Sequence, residues 1–243
     1  DVPLVSQDTL KRCAAAAQKG HIGLVTADFA DPAELGRIVR DEHGQIRAIV
    51  EFKDANDSQK AIHEINSGIM AVPADLLNKW LHLLQPNNAQ GEYYLTDIIA
   101  MAAHDGIPVE GVLALTPEEV TGVNDRIQLA ELERVYQRQQ ARRLMRAGVT
   151  IADPQRLDIR GHITAGQDCF IDINVVLIGD VSLGDGVRLG PGAVITDSQL
   201  GDNVEVHSHT VVEGADVARN CSLGPFARIR PGTRLDDGVK IGN

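Results

Sequence analysis

The chain has 243 residues, 43% of them hydrophobic and 23% charged, a globular composition that excludes disorder and leaves room for one large domain or two ordinary ones. A formal net charge of −11 argues against a nucleic-acid partner. No apolar run approaches the ~18 residues of a membrane span, no signal peptide is visible, and the widely spaced Cys13, Cys169 and Cys221 fit reduced thiols in a cytoplasm.

The first half mixes periods. Residues 21–26 read as a strand, and residues 37–51 as a hairpin turning at His43-Gly44. Residues 66–72 form another short strand. Helical spacing marks residues 74–84 and 94–104, and residues 108–115 return to strand. Strands interleaved with helices predict an α/β layer over residues 1–124. A long helix is expected over residues 125–147. Asn124 is placed as its cap, Ile127, Leu132, Val135 and Leu144-Met145 lie on one side, and Gly148 stops it. Residues 125–148 thus read as a linker helix between two domains.

From residue 149 a six-residue period takes over. Pairs such as Val181/Leu183, Val187/Leu189 and Ala193/Ile195 recur through Cys221/Leu223, Ala227/Ile229 and Val239/Ile241. Thirteen units hold the phase from residue 169 to 241, with two steps shortened to five residues. Alternation in one strand explains the two-residue offset within a pair. Only a solenoid explains the phase, so residues 149–243 read as a parallel β-helix of hexapeptide repeats. Three short strands per coil make a triangular prism of about four coils, roughly 20 Å tall at ~4.8 Å per layer. Gly directly after the aliphatic, as in Leu183-Gly184 and Leu200-Gly201, suits the sharp corners. The phase runs to Asn243 without a polar cap, and the chain opens on Asp1-Val2-Pro3-Leu4 without Met, so both domains read as incomplete parts of a longer protein.

Seven segments in order carry a family resemblance. They are Asp1-Val2-Pro3-Leu4, Leu35-Gly36-Arg37-Ile38, Ile49-Val50-Glu51, Glu64-Ile65-Asn66-Ser67-Gly68, the stretch from Asn88 to Asp97, Gly122-Val123-Asn124-Asp125-Arg126, and Gly224-Pro225-Phe226-Ala227-Arg228-Ile229-Arg230-Pro231-Gly232. Together they resemble the bacterial bifunctional N-acetylglucosamine-1-phosphate uridyltransferase and glucosamine-1-phosphate N-acetyltransferase. The resemblance implies a Rossmann-like nucleotidyltransferase domain followed by a left-handed β-helix, in a cytoplasmic homotrimer that binds sugar phosphates and nucleotides and no membrane. It implies acetyl transfer from acetyl-CoA to glucosamine 1-phosphate, then uridyl transfer from UTP to N-acetylglucosamine 1-phosphate, in the supply of cell-envelope precursors.

By the same resemblance Asp1 and Asn124 hold Mg²⁺, whose preference for hard oxygen ligands suits them. Asp1, Gly36, Glu51, Asn66, Tyr94, Thr96 and Asn124 would contact UDP-N-acetylglucosamine. A glycine lets backbone approach a ligand, and Glu and Asn can satisfy hydroxyls and an acetamido group. Arg228 would take the sugar phosphate of the acetyltransferase, pointing out of the prism together with Arg230. Taken without the resemblance, Asp1 is a solvated terminal carboxylate, Asn124 a helix cap, Tyr94 a half-buried core residue and Arg228 a surface charge. His207 and His209 read as alternating in one strand, a solvated pair without a third metal ligand. The family's Gly-rich phosphate loop does not occur, and its acetyltransferase His base is expected beyond Asn243, so no catalytic residue is assigned here. Two other readings stand beside this one: a single-activity sugar-1-phosphate nucleotidyltransferase with a structural β-helix, and a trimerisation scaffold.

Overall fold

A computed structural model describes residues 2–243; Asp1 lies outside the described residues. The chain divides into two compact units, one through Leu129 and the other from Ala130 on. Among the described residues, no helix is long and apolar enough to cross a membrane.

In the first unit, β1 (Ile22–Asp28), β2 (Arg37–Arg40), β3 (Ile46–Val50), β4 (Glu64–Ala71) and β5 (Val109–Leu113) form one sheet in the order β3-β2-β4-β1-β5. Parallel pairing is confined to β1 with β5, and the other neighbours run antiparallel. The hairpin turns where its sequence predicts. Asp41 Oδ1 accepts the N–H groups of His43 and Gln45, both at 2.9 Å, and Gly44 takes a left-handed φ of 76°.

The helices of this unit are α1 (Gln7–Gln18), α2 (Asp57–Lys60), α3 (Ala74–Leu81) and α4 (Ile98–His104). One core joins Trp80, Ile98 and Ile99, from α3 and α4, to Ile22, Leu24, Ile38 and Ile49 of the sheet. A second core lies around Cys13, Val25, Ala27, Ile65 and Val112. Helix α1 has no counterpart among the expected elements. Its buried residues are Thr9, Cys13 and Ala16, too small and mixed to read as an apolar stripe. Their size lets α1 lie tight on β1: a Cβ at Gly23 would fall 2.1 Å from the Cys13 carbonyl oxygen. At the end of α4, Asp105 accepts hydrogen bonds from Lys79 Nζ at 2.7 Å and Trp80 Nε1 at 2.9 Å, with His104 Nδ1 at 3.3 Å. These contacts, that of Lys79 foremost, hold the Asp105 carboxyl well below the usual carboxylate range.

The long helix α5 (Arg126–Arg146) begins one residue later in its capping than the sequence suggested. Asp125, not Asn124, is the cap: its Oδ1 accepts the N–H groups of Ile127 and Gln128, both at 2.8 Å. Asn124 precedes the cap and donates its backbone N–H to Gln128 Oε1 at 2.7 Å, in the manner of a capping box. The expected stop at Gly148 holds. Gly148 takes φ of 103° and donates to Met145 O, while Val149 donates to Leu144 O, the paired bonds of a Schellman ending. The buried positions on α5 are Leu132, Gln137, Ala141 and Leu144; Ile127 and Met145, expected on the apolar side, are exposed.

The second unit is a parallel β-solenoid. β6 (Thr150–Ile151), β7 (Leu157–Ala165), β8 (Phe170–Ile171) and β9 (Val175–Leu183) begin it, and strands of two or three residues continue it to Ile241. Successive coils pair in parallel at a step of 18 residues, as Val176 with Val194, or 17, as Val194 with Val211, except that β6 pairs with β8 at a step of 20. The two shortened hexads account for the 17-residue steps. Three inward columns result: Ile151, Ile171, Leu189, Val206, Leu223 and Ile241; Leu177, Ile195, Val212 and Ile229; Leu183, Leu200, Val217 and Leu235. Nearly all of these side chains are buried in one continuous core.

Gly224, directly after Leu223, takes a left-handed φ of 88° as the sequence suggested, but Gly184 and Gly201 do a different job. Gly184 and Gly201 are not left-handed. A Cβ on Gly184 would lie 2.4 Å from Asp202 Oδ1 and 2.7 Å from Asp202 N, and one on Gly201 would lie 2.8 Å from Arg219 N. Close approach of the next coil demands glycine there. Left-handed backbone instead falls two residues on, in the column Gly186, Asn203, Asn220 and Gly238, where Asn tolerates it.

Helix α5 closes the first coil. Gln137 is buried, donates Nε2 to Ile159 O at 2.8 Å and accepts Ile159 N–H on Oε1 at 2.7 Å, as a neighbouring strand would. Ala141 and Leu144 join the solenoid core, and Arg134 pairs with Asp158 at 2.6 Å.

Two outcomes follow from this packing. Because the Asp105 pKa is depressed, its contribution to stability is present above its unfolded value near 4 and disappears as pH falls through the lower folded value. Urea unfolding followed by fluorescence of the single tryptophan should therefore lose stability on acidification below about pH 4, and Asp105→Asn should flatten that loss. Gln137→Ala leaves the Ile159 amide group buried without partners and should cost about 2–3 kcal/mol in denaturant unfolding of the second unit; a loss within error would show that water replaces the amide.

Candidate functional site

Strand register brings three of the expected site residues together in the first unit. Arg37 of β2 pairs with Val50 of β3 on one side and with Ile65 of β4 on the other. The next rung outward is therefore Glu51, Gly36 and Asn66, side by side across three strands. Asn66 N–H donates to Gly36 O at 2.9 Å. A Cβ on Gly36 would come within 3.1 Å of Glu51 Oε2, so that position admits no side chain without displacing the carboxylate. Alternation puts this rung on the face that carries Ile38 and Ile49, the face covered by α3 and α4.

Thr96, in the turn that leads into α4, reaches the same rung. Its Oγ1 donates to Glu51 Oε1 at 3.0 Å, fixing one oxygen of the half-buried carboxylate. Tyr94 stands close by. Gln90 Nε2 donates to its hydroxyl at 2.8 Å, which favours the phenolate, but loss of solvent and the carboxylates of Asp54 and Glu51 outweigh that bond and raise its pKa. Burial first, and then Asp54, likewise raise the Asp97 pKa. Asn66 uses Oδ1 to accept Gly68 N–H at 3.0 Å.

Asn124 is not joined to this cluster by any side-chain hydrogen bond among the described residues; its side chain is exposed beside the start of α5. The expected Asp1 partner lies outside the described residues. In chemical type, a carboxylate and an amide oxygen suit a hard divalent cation.

Several neighbours of the cluster escaped the sequence reading. Asp54 accepts the Ala89 N–H at 2.8 Å, and Lys53 donates to Gln90 Oε1 at 2.6 Å. These bonds strap the segment carrying Tyr94 to the end of β3. Partners more than thirty positions apart leave no local signal of such contacts.

On the solenoid, Arg228 points outward from a two-residue strand and is exposed, with Nη2 3.5 Å from Glu213 Oε2. Arg230 is exposed as well. The two histidines do not share a strand, because the chain turns after Val206. His207 lies 2.9 Å from Ser222 Oγ through Nε2. His209 occupies a left-handed corner at φ of 56° and stacks on Phe226, ring centres 5.3 Å apart.

Within this solenoid, residues 166–197 match the bacterial transferase hexapeptide (six repeats) family. Over its whole length the chain is also 54% identical to the bifunctional protein GlmU of Alkalilimnicola ehrlichii, of which it covers 52%. It is 52% identical to the GlmU proteins of Nitrosospira multiformis and Pseudomonas putida, covering 53% of each. The family resemblance read from the sequence is borne out: from end to end the chain is similar to bifunctional GlmU proteins, and it spans about half the length of the curated relatives it matches.

Proposed function

We propose that the protein carrying this chain makes UDP-N-acetylglucosamine in two transferase reactions, and that the first unit is part of the Rossmann-like domain that joins UTP to N-acetylglucosamine 1-phosphate with release of pyrophosphate. The observation that carries this reading is the rung of Gly36, Glu51 and Asn66, with Glu51 oriented by Thr96. Glycine gives a sugar ring room against backbone. A fixed carboxylate accepts hydroxyl protons, and the Asn66 amide supplies NH donors for an acetamido carbonyl. Tyr94 lines the same pocket. Asp1 and Asn124 would hold Mg²⁺, which neutralises charge on the phosphates when bound.

The solenoid would be part of a left-handed β-helix that transfers acetyl from acetyl-CoA to glucosamine 1-phosphate, with Arg228 taking the phosphate. An exposed guanidinium loosely paired to Glu213 can exchange that carboxylate for phosphate oxygens. We further propose homotrimeric assembly in a cytoplasmic setting. The outward strip of the second prism face is apolar in its middle coils, with half-buried Val176, Ile178, Val194 and Val211 between charged Asp158 and Arg160 at one end and Glu213 and Arg228 at the other, unlike the third face with Asp180, Ser182, Gln199 and Asp216. An apolar strip of that kind suits another copy of the chain.

Calorimetric titration with UDP-N-acetylglucosamine and Mg²⁺ tests the first activity. Saturable binding is expected, and Glu51→Gln should weaken it at least about tenfold, the scale of a lost hydrogen bond to a charged group. Binding unchanged by that substitution would remove the pocket assignment, and no binding at all would favour a scaffold. For the second activity, Arg228→Ala in the full protein should depress acetylation of glucosamine 1-phosphate while uridyl transfer stays within error of wild type. Equal loss of both would mark a folding defect.

A further inference from the structure

Arg37 is buried to 2% exposure, yet no carboxylate pairs with it among the described residues. Its guanidinium is satisfied by main-chain carbonyls. Nη2 donates to Ala33 O at 2.8 Å and Nη1 to Leu35 O and, at 3.5 Å, to Pro32 O; Nε donates to Lys60 O at 3.4 Å. The ring of Phe52 lies 5.6 Å from the guanidinium carbon. Burying a charge without a counter-charge is costly, and an apolar side chain of similar volume would pack at lower cost. What an apolar residue could not do is gather several carbonyls of one loop onto a planar fork.

That loop needs an anchor. Ala33 holds a left-handed φ of 43°, a conformation alanine rarely adopts, and the loop delivers Gly36 directly to the rung. Arg37 also occupies the rung behind the site. Its neighbours are Val50 and Ile65, each one residue before Glu51 and Asn66, and its side chain projects from the opposite face of the sheet.

We propose that Arg37 is the positioning residue of the sugar-nucleotide pocket: by holding the carbonyls of Pro32, Ala33 and Leu35 from behind the sheet, it fixes Gly36 at contact distance from Glu51 and Asn66. This rests on the assignment of those three residues to that pocket. Arg37 touches no substrate; its effect passes through the loop. Lysine in its place keeps the charge but can satisfy fewer carbonyls in one plane.

The test compares Arg37→Lys, Arg37→Met and Glu51→Gln in the full protein. With Arg37→Lys, KM for N-acetylglucosamine 1-phosphate and Kd for UDP-N-acetylglucosamine should each rise about tenfold, the effect of a small misplacement, with kcat within about twofold. Amide exchange should quicken at residues 33–36 and not in β1. Arg37→Met should show both effects more strongly. The proposal is overturned if the variants bind within twofold of wild type, if exchange quickens throughout the sheet, or if both variants unfold, which would make Arg37 a fold determinant alone. Glu51→Gln separates the two levels. If it binds normally, the pocket assignment itself has failed; if it binds weakly while both Arg37 variants bind normally, only the positioning role has failed.

Discussion

Hydrogen-bonded strand register governs both units. In the first, the pairing of Arg37 with Val50 and Ile65 sets Gly36, Glu51 and Asn66 in one row on the face beneath α3 and α4. A slip of one residue in either pairing would turn part of that row to the opposite face. Gly36 thus becomes the immediate neighbour of Glu51, fifteen positions on, and of Asn66, thirty positions on, and the chemistry of the site is a property of the pairing. Thr96, brought in by the turn before α4, then fixes the carboxylate that the row presents.

In the solenoid the same constraint acts along a stack. After a first step of 20 residues from Ile151 to Ile171, each coil advances 17 or 18 residues so that aliphatic side chains fall over one another at every level. The spacing between coils, about 4.8 Å, leaves no room for a side chain where one coil's corner passes beneath the next. Hence Gly184 and Gly201, whose missing Cβ atoms would overlap Asp202 and Arg219. The stack also leaves backbone groups unpaired at its first coil, and Gln137 of α5 pairs with Ile159 there, covering a strand edge with one amide side chain.

Much of this was legible in the sequence for physical reasons. The six-residue period was unmistakable because each coil repeats the same burial pattern, and even its two shortened steps appear as 17-residue pairings. The hairpin at Asp41–Gln45 announced itself through turn chemistry. The Gly148 stop did so through the helix that precedes it. Less was legible where small residues do the packing: α1 buries only Thr9, Cys13 and Ala16, which carry no strong period. The cap of α5 was misplaced by one residue because Asn124 and Asp125 both have capping side chains, and only geometry shows which one turns back. Glycine was assigned a conformational role at Gly184 when close approach was the reason, a distinction that sequence spacing cannot express. Seven motifs pointed to the residues of the site, but the way Arg37 supports them from behind depends on contacts with carbonyls, which no side-chain pattern encodes.

The most direct measurement is an amide chemical-shift titration of the chain with UDP-N-acetylglucosamine. The account predicts shifts clustered at Gly36, Glu51, Asn66 and Thr96, with the loop through Ala33 and Leu35 following them and the amides of residues 150–243 unmoved. Shifts confined to the solenoid, or scattered without reference to that row of residues, would contradict it.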